Sequence, residues 1–174
     1  MYRVVLYNCW KDKEKEIIIM TEKKLSMTPN TKYFSTLKLS HQENDFKAVG
    51  LSFTSSTELG KQLVELIGSD AQEVFWALYT DCHLNVIGAT ECAKGGLSDC
   101  MVEPRQIFQH ALLCNANGMV LVHNHPGQDL KPSQEDKTFI KKMRSASKLM
   151  GISFIDCMIV DSDNYLSFAE RGLM

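Results

Sequence analysis

A chain of 174 residues is long enough for one domain with a sizeable core and short of two full ones. Its 44% hydrophobic and 23% charged residues are ordinary for a soluble globular protein. A net charge of −2 offers no overall basic field for nucleic acid or an anionic membrane, so binding to either would rest on a local patch.

Residues 1–54 differ in texture from the rest of the chain. "RVVLY" and "EIIIM" are short strand-like runs separated by the charged "KDKEKE", as in a hairpin. "SMTPNTKYFSTLKLSHQENDF" is polar and carries a Pro-Asn turn signal. This part reads as an N-terminal accessory segment without recognisable chemistry, and residues 55–174 as the main domain.

In that second part "SSTELGKQLVELIG" predicts a helix that opens on cap residues, closes on Gly68 and carries Leu59, Leu63, Leu66 and Ile67 as its apolar stripe. "EVFWALYT" reads as a buried strand, "DCHLN" as a turn and "VIGATEC" as a second strand, with Gly95 and Gly96 marking a further turn or bulge. "EPRQIFQHALLCNANG" is a helix with proline in its first turn and glycine at its end. "MVLV" is a third strand. A helix from about Ser133 to Met150 comes next, with Phe139, Met143, Ala146 and Met150 on one side and Gly151 at its end. "ISFIDCMIV" and "YLSFAE" close the chain as strands around "DSDN". Alternating strands and helices imply a three-layer α/β domain with a central mixed sheet flanked by helices.

The six cysteines are Cys9, Cys82, Cys92, Cys100, Cys114 and Cys157, and none forms a Cys-x-x-Cys pair. That excludes a zinc ribbon and a thioredoxin-type motif. The N-terminus turns charged after ten residues, so no signal peptide is expected. No apolar stretch approaches the roughly 18 residues of a membrane span. Reduced thiols in a cytoplasmic protein with no membrane partner are the expectation.

The chemistry concentrates in "LVHNHPGQDLKPSQED", residues 121–136. Side chains repeat every two residues on a strand, so His123 and His125 project from one face, and Asn124 points away from them. If the strand stops at Val122, the pair sits beyond the carboxyl end of a strand, where α/β sheets keep their sites. Pro126 and Gly127 turn the chain, Pro132 precedes a helix, and Asp136 in its first turn can point back at the histidines. Two imidazoles and a carboxylate with a fourth position open is the donor count of a catalytic zinc; it is also that of the facial triad in non-haem iron oxygenases. Plainer roles coexist: Ser133 suits an N-cap with Asp136 as its acidic partner, and Asp136 suits the positive end of the helix dipole.

The spacing His-x-His, seven residues, Ser, two residues, Asp matches the JAMM motif of MPN-domain metallopeptidases. The surrounding text, in "HNHP", "KPSQED", "VEPRQIFQHALLCNANGMVLVHNHP" and "YLSFAERGLM", resembles the RadC family over about residues 55 to 174. The resemblance implies a JAMM/MPN (cytidine-deaminase-like) domain and a zinc-dependent peptidase or isopeptidase acting on a peptide or isopeptide-linked protein. It implies Zn2+ on His123, His125 and Asp136, Ser133 stabilising the oxyanion, and a glutamate from an earlier strand as general acid/base. Glu73, in "QEVFWALY", is the position that matches; spacing alone leaves Glu91 and Glu103 in contention.

Two positions depart from the family pattern. Gly127-Gln128 stand where Ser-Gly is usual, and Asp156-Cys157 where Asp-His is common. A rival reading is a catalytically silent module of the same fold associated with DNA repair or nucleic-acid processes. Lys137, Lys141, Lys142, Arg144 and Lys148 cluster on the last long helix, but without interleaved aromatics they read as a solvated face. The His-x-Glu and Pro-Cys-x-x-Cys of a nucleobase deaminase are missing.

Overall fold

The computed structural model describes residues 51–95, 102–127 and 129–174. The two N-terminal strand runs, Cys9, Gly96, Cys100 and Gln128 lie outside the described residues. Helix α1 (Ser56–Ile67) starts where the Ser55 hydroxyl accepts from Glu58 N at 3.2 Å. Strands β1 (Val74–Thr80) and β2 (Val86–Lys94) follow, then α2 (Pro104–Leu113), β3 (Gly118–Asn124), α3 (Gln134–Met150), β4 (Ser153–Val160) and β5 (Tyr165–Ser167).

The sheet order is β2-β1-β3-β4-β5. β3 pairs antiparallel with β1 and parallel with β4, which makes the sheet mixed. Every residue of β3 is buried, as expected of an apolar run with strands on both edges and helices on both faces. Alternate β3 side chains feed two cores. Val120 and Val122 meet Leu59, Leu63 and Ile67 of α1, together with Leu78, Met158 and Val160. Met119 and Leu121 join Ile107, Phe108 and Ala111 of α2 and Ile140 and Met143 of α3, with Phe75, Cys157 and Ile159. The three layers read from sequence are thus α1, the sheet, and α2 with α3. Truncating a fully buried leucine such as Leu63 to alanine costs about 2–5 kcal/mol.

Three details differ from the sequence reading. Gly118 does not end α2: Asn115, at φ 54°, is the left-handed residue there, and Ala116 N reaches back to Ala111 O at 2.9 Å. Gly118 instead opens β3, where a Cβ would sit 2.7 Å from Ile155 Cδ1. The inner face of α3 runs through Asp136, Ile140, Met143 and Ser147, with Phe139 and Ala146 half-buried beside it and Met150 exposed. The last strand stops at Ser167, after one more backbone bond from Phe168 N to Cys157 O at 2.9 Å, and the buried Asp156 braces the turn that follows. Its carboxylate accepts from Ser167 Oγ at 2.5 Å, Ala169 N at 2.9 Å and Cys157 N at 2.7 Å. Burial still pushes the Asp156 carboxyl up, against those hydrogen bonds. No helix among the described residues is long and apolar enough to cross a membrane.

Candidate metal centre

β3 does not stop at Val122; it carries through His123 and Asn124. His125 N then donates to Val160 O at 2.8 Å, so the chain keeps its course beside β4 for one more residue. Both histidines lie on the α3 side. His123 is fully buried, and its Nε2 stands 3.1 Å from His125 Nε2. Asp136, in the first turn of α3, brings Oδ1 to 3.4 Å from His123 Nε2.

Each of these three side chains is oriented by a different device. His125 Nδ1 bonds the Asp129 carbonyl at 2.5 Å, which places the proton on Nδ1 and leaves the Nε2 lone pair for the site. His123 Nδ1 is buried without a hydrogen-bond partner. Its ring is held by stacking on its cross-strand neighbour Phe75, with centroids 5.5 Å apart at 11°, and Phe75 is braced edge-on by Phe139 at 5.6 Å. Asp136 is fixed by a capping box: Oδ2 accepts from Ser133 N at 2.8 Å and Ser133 Oγ at 2.7 Å, while Asp136 N donates back to Ser133 Oγ at 3.0 Å. Both of the plainer roles read for Ser133 and Asp136 are therefore present.

Burial, opposed by Asp136 and reinforced by His125, depresses the His123 pKa from 6.5 to about 4. The ring is neutral at pH 7, so its contact with Asp136 is not an ion pair. It is in the form that donates a lone pair. Asp136 Oδ1 is a buried acceptor with no hydrogen-bond partner, facing that nitrogen. Donors about 2.0–2.2 Å from a tetrahedral zinc lie about 3.3–3.5 Å from one another. The separations of 3.1 Å between the histidines and 3.4 Å from His123 to Asp136 are close to that edge length. The group whose potential ligand atoms all lie within 4.8 Å of one another, however, is Glu73, His123 and His125, and Asp136 reaches only His123.

Glu73, just before β1, adds a second carboxylate. A Glu73 carboxylate oxygen and one nitrogen each of His123 and His125 all lie within 4.8 Å of one another. Glu91, exposed on β2, and Glu103, exposed at the start of α2, do not join the cluster. The sequence reading makes Asn124 structural without identifying its partners. From the opposite face of β3 its side chain bonds Val74 N, Asp70 O and Gln72 O, around Glu73. Phe75 also escapes a reading by sequence, since only the β1–β3 register sets it opposite His123. Cys157 packs in the core beside Leu121. Burial, with Asp156 and Asp136 nearby, keeps its thiol protonated, so it acts as an apolar filler where the family commonly has histidine.

The sequence profile of the RadC-like JAB domain matches residues 53–173. The chain belongs to the RadC-like JAB domain family. Among curated relatives, a UPF0758 protein of Flavobacterium johnsoniae is 33% identical over 120 residues, 69% of this chain and 52% of that protein. One from Thermotoga maritima is 34% identical over 118 residues, 68% of this chain and 53% of that protein. One from Lactococcus lactis is 38% identical over 117 residues, 67% of this chain and 52% of that protein. The chain thus spans about half the length of the curated relatives it matches. The RadC-like JAB match starts two residues before α1's N-cap Ser55.

Proposed function

We propose that this RadC-like JAB domain is a zinc-dependent hydrolase of peptide or isopeptide bonds. His123, His125 and Asp136 hold the metal and Glu73 serves as general acid/base. The observation that carries this reading is the meeting of Glu73 with both histidines within 4.8 Å, next to the partnerless Asp136 Oδ1. Bound zinc lowers the pKa of water from about 15.7 to about 7, which supplies a nucleophile near neutral pH.

The protein's own groups do the rest. The Glu73 carboxylate takes a proton from the attacking water and delivers it to the leaving amine, a contribution typically worth about 10²–10⁴-fold. In the resting site the only Ser133 hydroxyl proton is directed at Asp136 Oδ2. To stabilise an oxyanion it rotates away, and Ser133 N–H continues to hold the Asp136 carboxylate. The half-exposed His125 side leaves the site open to substrate, while buried His123 forms its floor. The free thiols among the described residues, Cys82, Cys92, Cys114 and Cys157, suit a reducing, cytoplasmic setting.

Elemental analysis of freshly purified protein, followed by turnover on peptide and isopeptide-linked libraries, tests the proposal. Zinc bound near one equivalent, cleavage by the wild type, and loss of cleavage with zinc retained in Glu73→Gln are expected. Iron in place of zinc favours an oxygenase. Zinc without cleavage of any substrate favours a silent binding module. In that case DNA retention lost on Lys141→Glu plus Lys142→Glu, both exposed on α3, assigns the module to nucleic acid.

A further inference from the structure

We propose that Asn124 is a positioning residue: its carboxamide fixes the segment that carries Glu73 against the strand that carries the histidines, and so sets where the Glu73 carboxylate stands. Asn124 lies between the two histidines in sequence, yet β alternation turns its side chain to the other face of β3, where it is fully buried. All three of its side-chain hydrogen bonds go to one short stretch. Val74 N donates to Oδ1 at 2.7 Å, and Nδ2 donates to Asp70 O at 2.9 Å and Gln72 O at 3.0 Å. Those bonds use both amide hydrogens, and their partners bracket Glu73.

The strut is needed because the backbone ladder stops short. The pairing of β1 with β3 ends at Phe75 opposite His123. Beyond it, the backbone of Glu73 and Val74 is tied to the β2 side, through Gly95 N to Glu73 O at 2.8 Å and Val74 opposite Lys94. On the β3 side the Asn124 side chain replaces the missing ladder. Aspartate in its place accepts from Val74 N but cannot donate to two carbonyls, serine has one hydrogen to give, and glutamine is one methylene too long for the gap. The distance between the proton-handling carboxylate and the ligand nitrogens therefore depends on a side chain that touches neither.

The test compares the full-length wild type with Asn124→Ala and the near-isosteric Asn124→Asp, which guards against a fold lost to the cavity. In metal-free protein, amide hydrogen exchange at Val74 is expected to quicken about tenfold in Asn124→Ala and less in Asn124→Asp, whose carboxylate still accepts from Val74 N, while Val120 and Val122 in β3 keep wild-type protection. Leu59→Ala, a core truncation in α1, serves as the control and lowers protection across the whole sheet. In cobalt-loaded protein the pseudocontact shift of the Glu73 carboxyl carbon is expected to move. Shifts of Asp136 stay, and zinc affinity changes less than threefold, because the ligands on β3 and α3 are untouched. Uniform loss of protection in the Asn124 variants, or wild-type values at both Val74 and Glu73, overturns the proposal.

The turnover arm alone rests on the hydrolase reading: kcat is expected to fall with zinc affinity preserved. A wild type that cleaves nothing sinks that reading, and one that takes up no cobalt sinks the metal site. In either case exchange at Val74 still decides for or against the strut.

Discussion

Asp136 divides its two oxygens between two tasks, and asparagine separates them. Oδ2 closes the α3 cap through Ser133, whereas Oδ1 faces His123 Nε2 at 3.4 Å with no hydrogen-bond partner. In Asp136→Asn the amide oxygen turned toward Ser133 keeps the cap, and the NH2 group placed at Oδ1 cannot ligate. Exchanging charge-assisted for neutral hydrogen bonds loses roughly 1–1.5 kcal/mol, and removing the charge from the helix N-terminus about 0.5. Removing a carboxylate oxygen buried without a partner returns about 1–3 kcal/mol. The contributions nearly cancel, so the metal-free variant is expected to unfold within about 1 kcal/mol of wild type.

Zinc sees the substitution differently. Supporting groups around a metal typically matter about 10–100-fold, so losing a ligand outright is expected to weaken binding by at least about 100-fold, or roughly 2.8 kcal/mol. By linkage, stabilisation at a given zinc concentration falls by the same amount. At roughly 2–4 °C per kcal/mol for a domain of this size, the zinc-induced rise in Tm shrinks by about 5–10 °C. Calorimetry on chelated and zinc-loaded samples of both proteins reads both quantities. An unchanged zinc-induced rise removes Asp136 from the ligand set; a metal-free variant weaker by more than about 3 kcal/mol refutes the separation of its two oxygens.

Three further outcomes are expected. Phe75→Leu keeps the core filled but removes the ring on which His123 stacks, so zinc affinity in a competition titration falls about 10–100-fold while stability drops by less than about 1.5 kcal/mol. In chelated protein the folded-state pKa of His123 lies below its ordinary 6.5, at about 4, so the unfolded chain binds more protons between those values. Stability is then full above pH 6.5 and declines as pH falls toward 4, by up to about 3 kcal/mol, and a flat urea midpoint across that window contradicts the burial argument. Gly68→Ala drives a Cβ to 2.1 Å from the Asp161 carbonyl and is expected to cost more than about 2 kcal/mol in chemical denaturation, whereas Gly127→Ser, which restores the family's usual residue in open space, leaves the midpoint within about 0.5 kcal/mol.

How much of the site is legible in the sequence depends on the range of each interaction. The His-x-His pair, the cap at Ser133 and the reach of Asp136 depend on period-2 and helix-start geometry within a few residues, and they fold as that geometry dictates. Glu73 stands out by family resemblance alone, because spacing does not separate it from Glu91 or Glu103; the register of β1 against β3 is what brings it in. The same register, hidden in any linear reading, stacks Phe75 on His123. Gly118 misleads because glycine signals both a helix end and a close approach, and here the Ile155 side chain decides. The inner face of α3 lies part of a turn away from the one its apolar residues suggest, since Met150 ends the helix in solvent while polar Ser147 is buried.

One consequence concerns the order in which the parts come together. The groups assigned to the cation, His123 to Asp136, come from a single short run of chain, while the proposed acid/base, Glu73, arrives by a strand pairing between residues about fifty positions apart, such as Phe75 and His123. Closing the longer loop costs about 1 kcal/mol more in chain entropy than closing the shorter. During synthesis or refolding, an ion can therefore be captured before the carboxylate that would use it has docked, leaving a loaded but inert intermediate whose activation is a matter of β1 finding its edge.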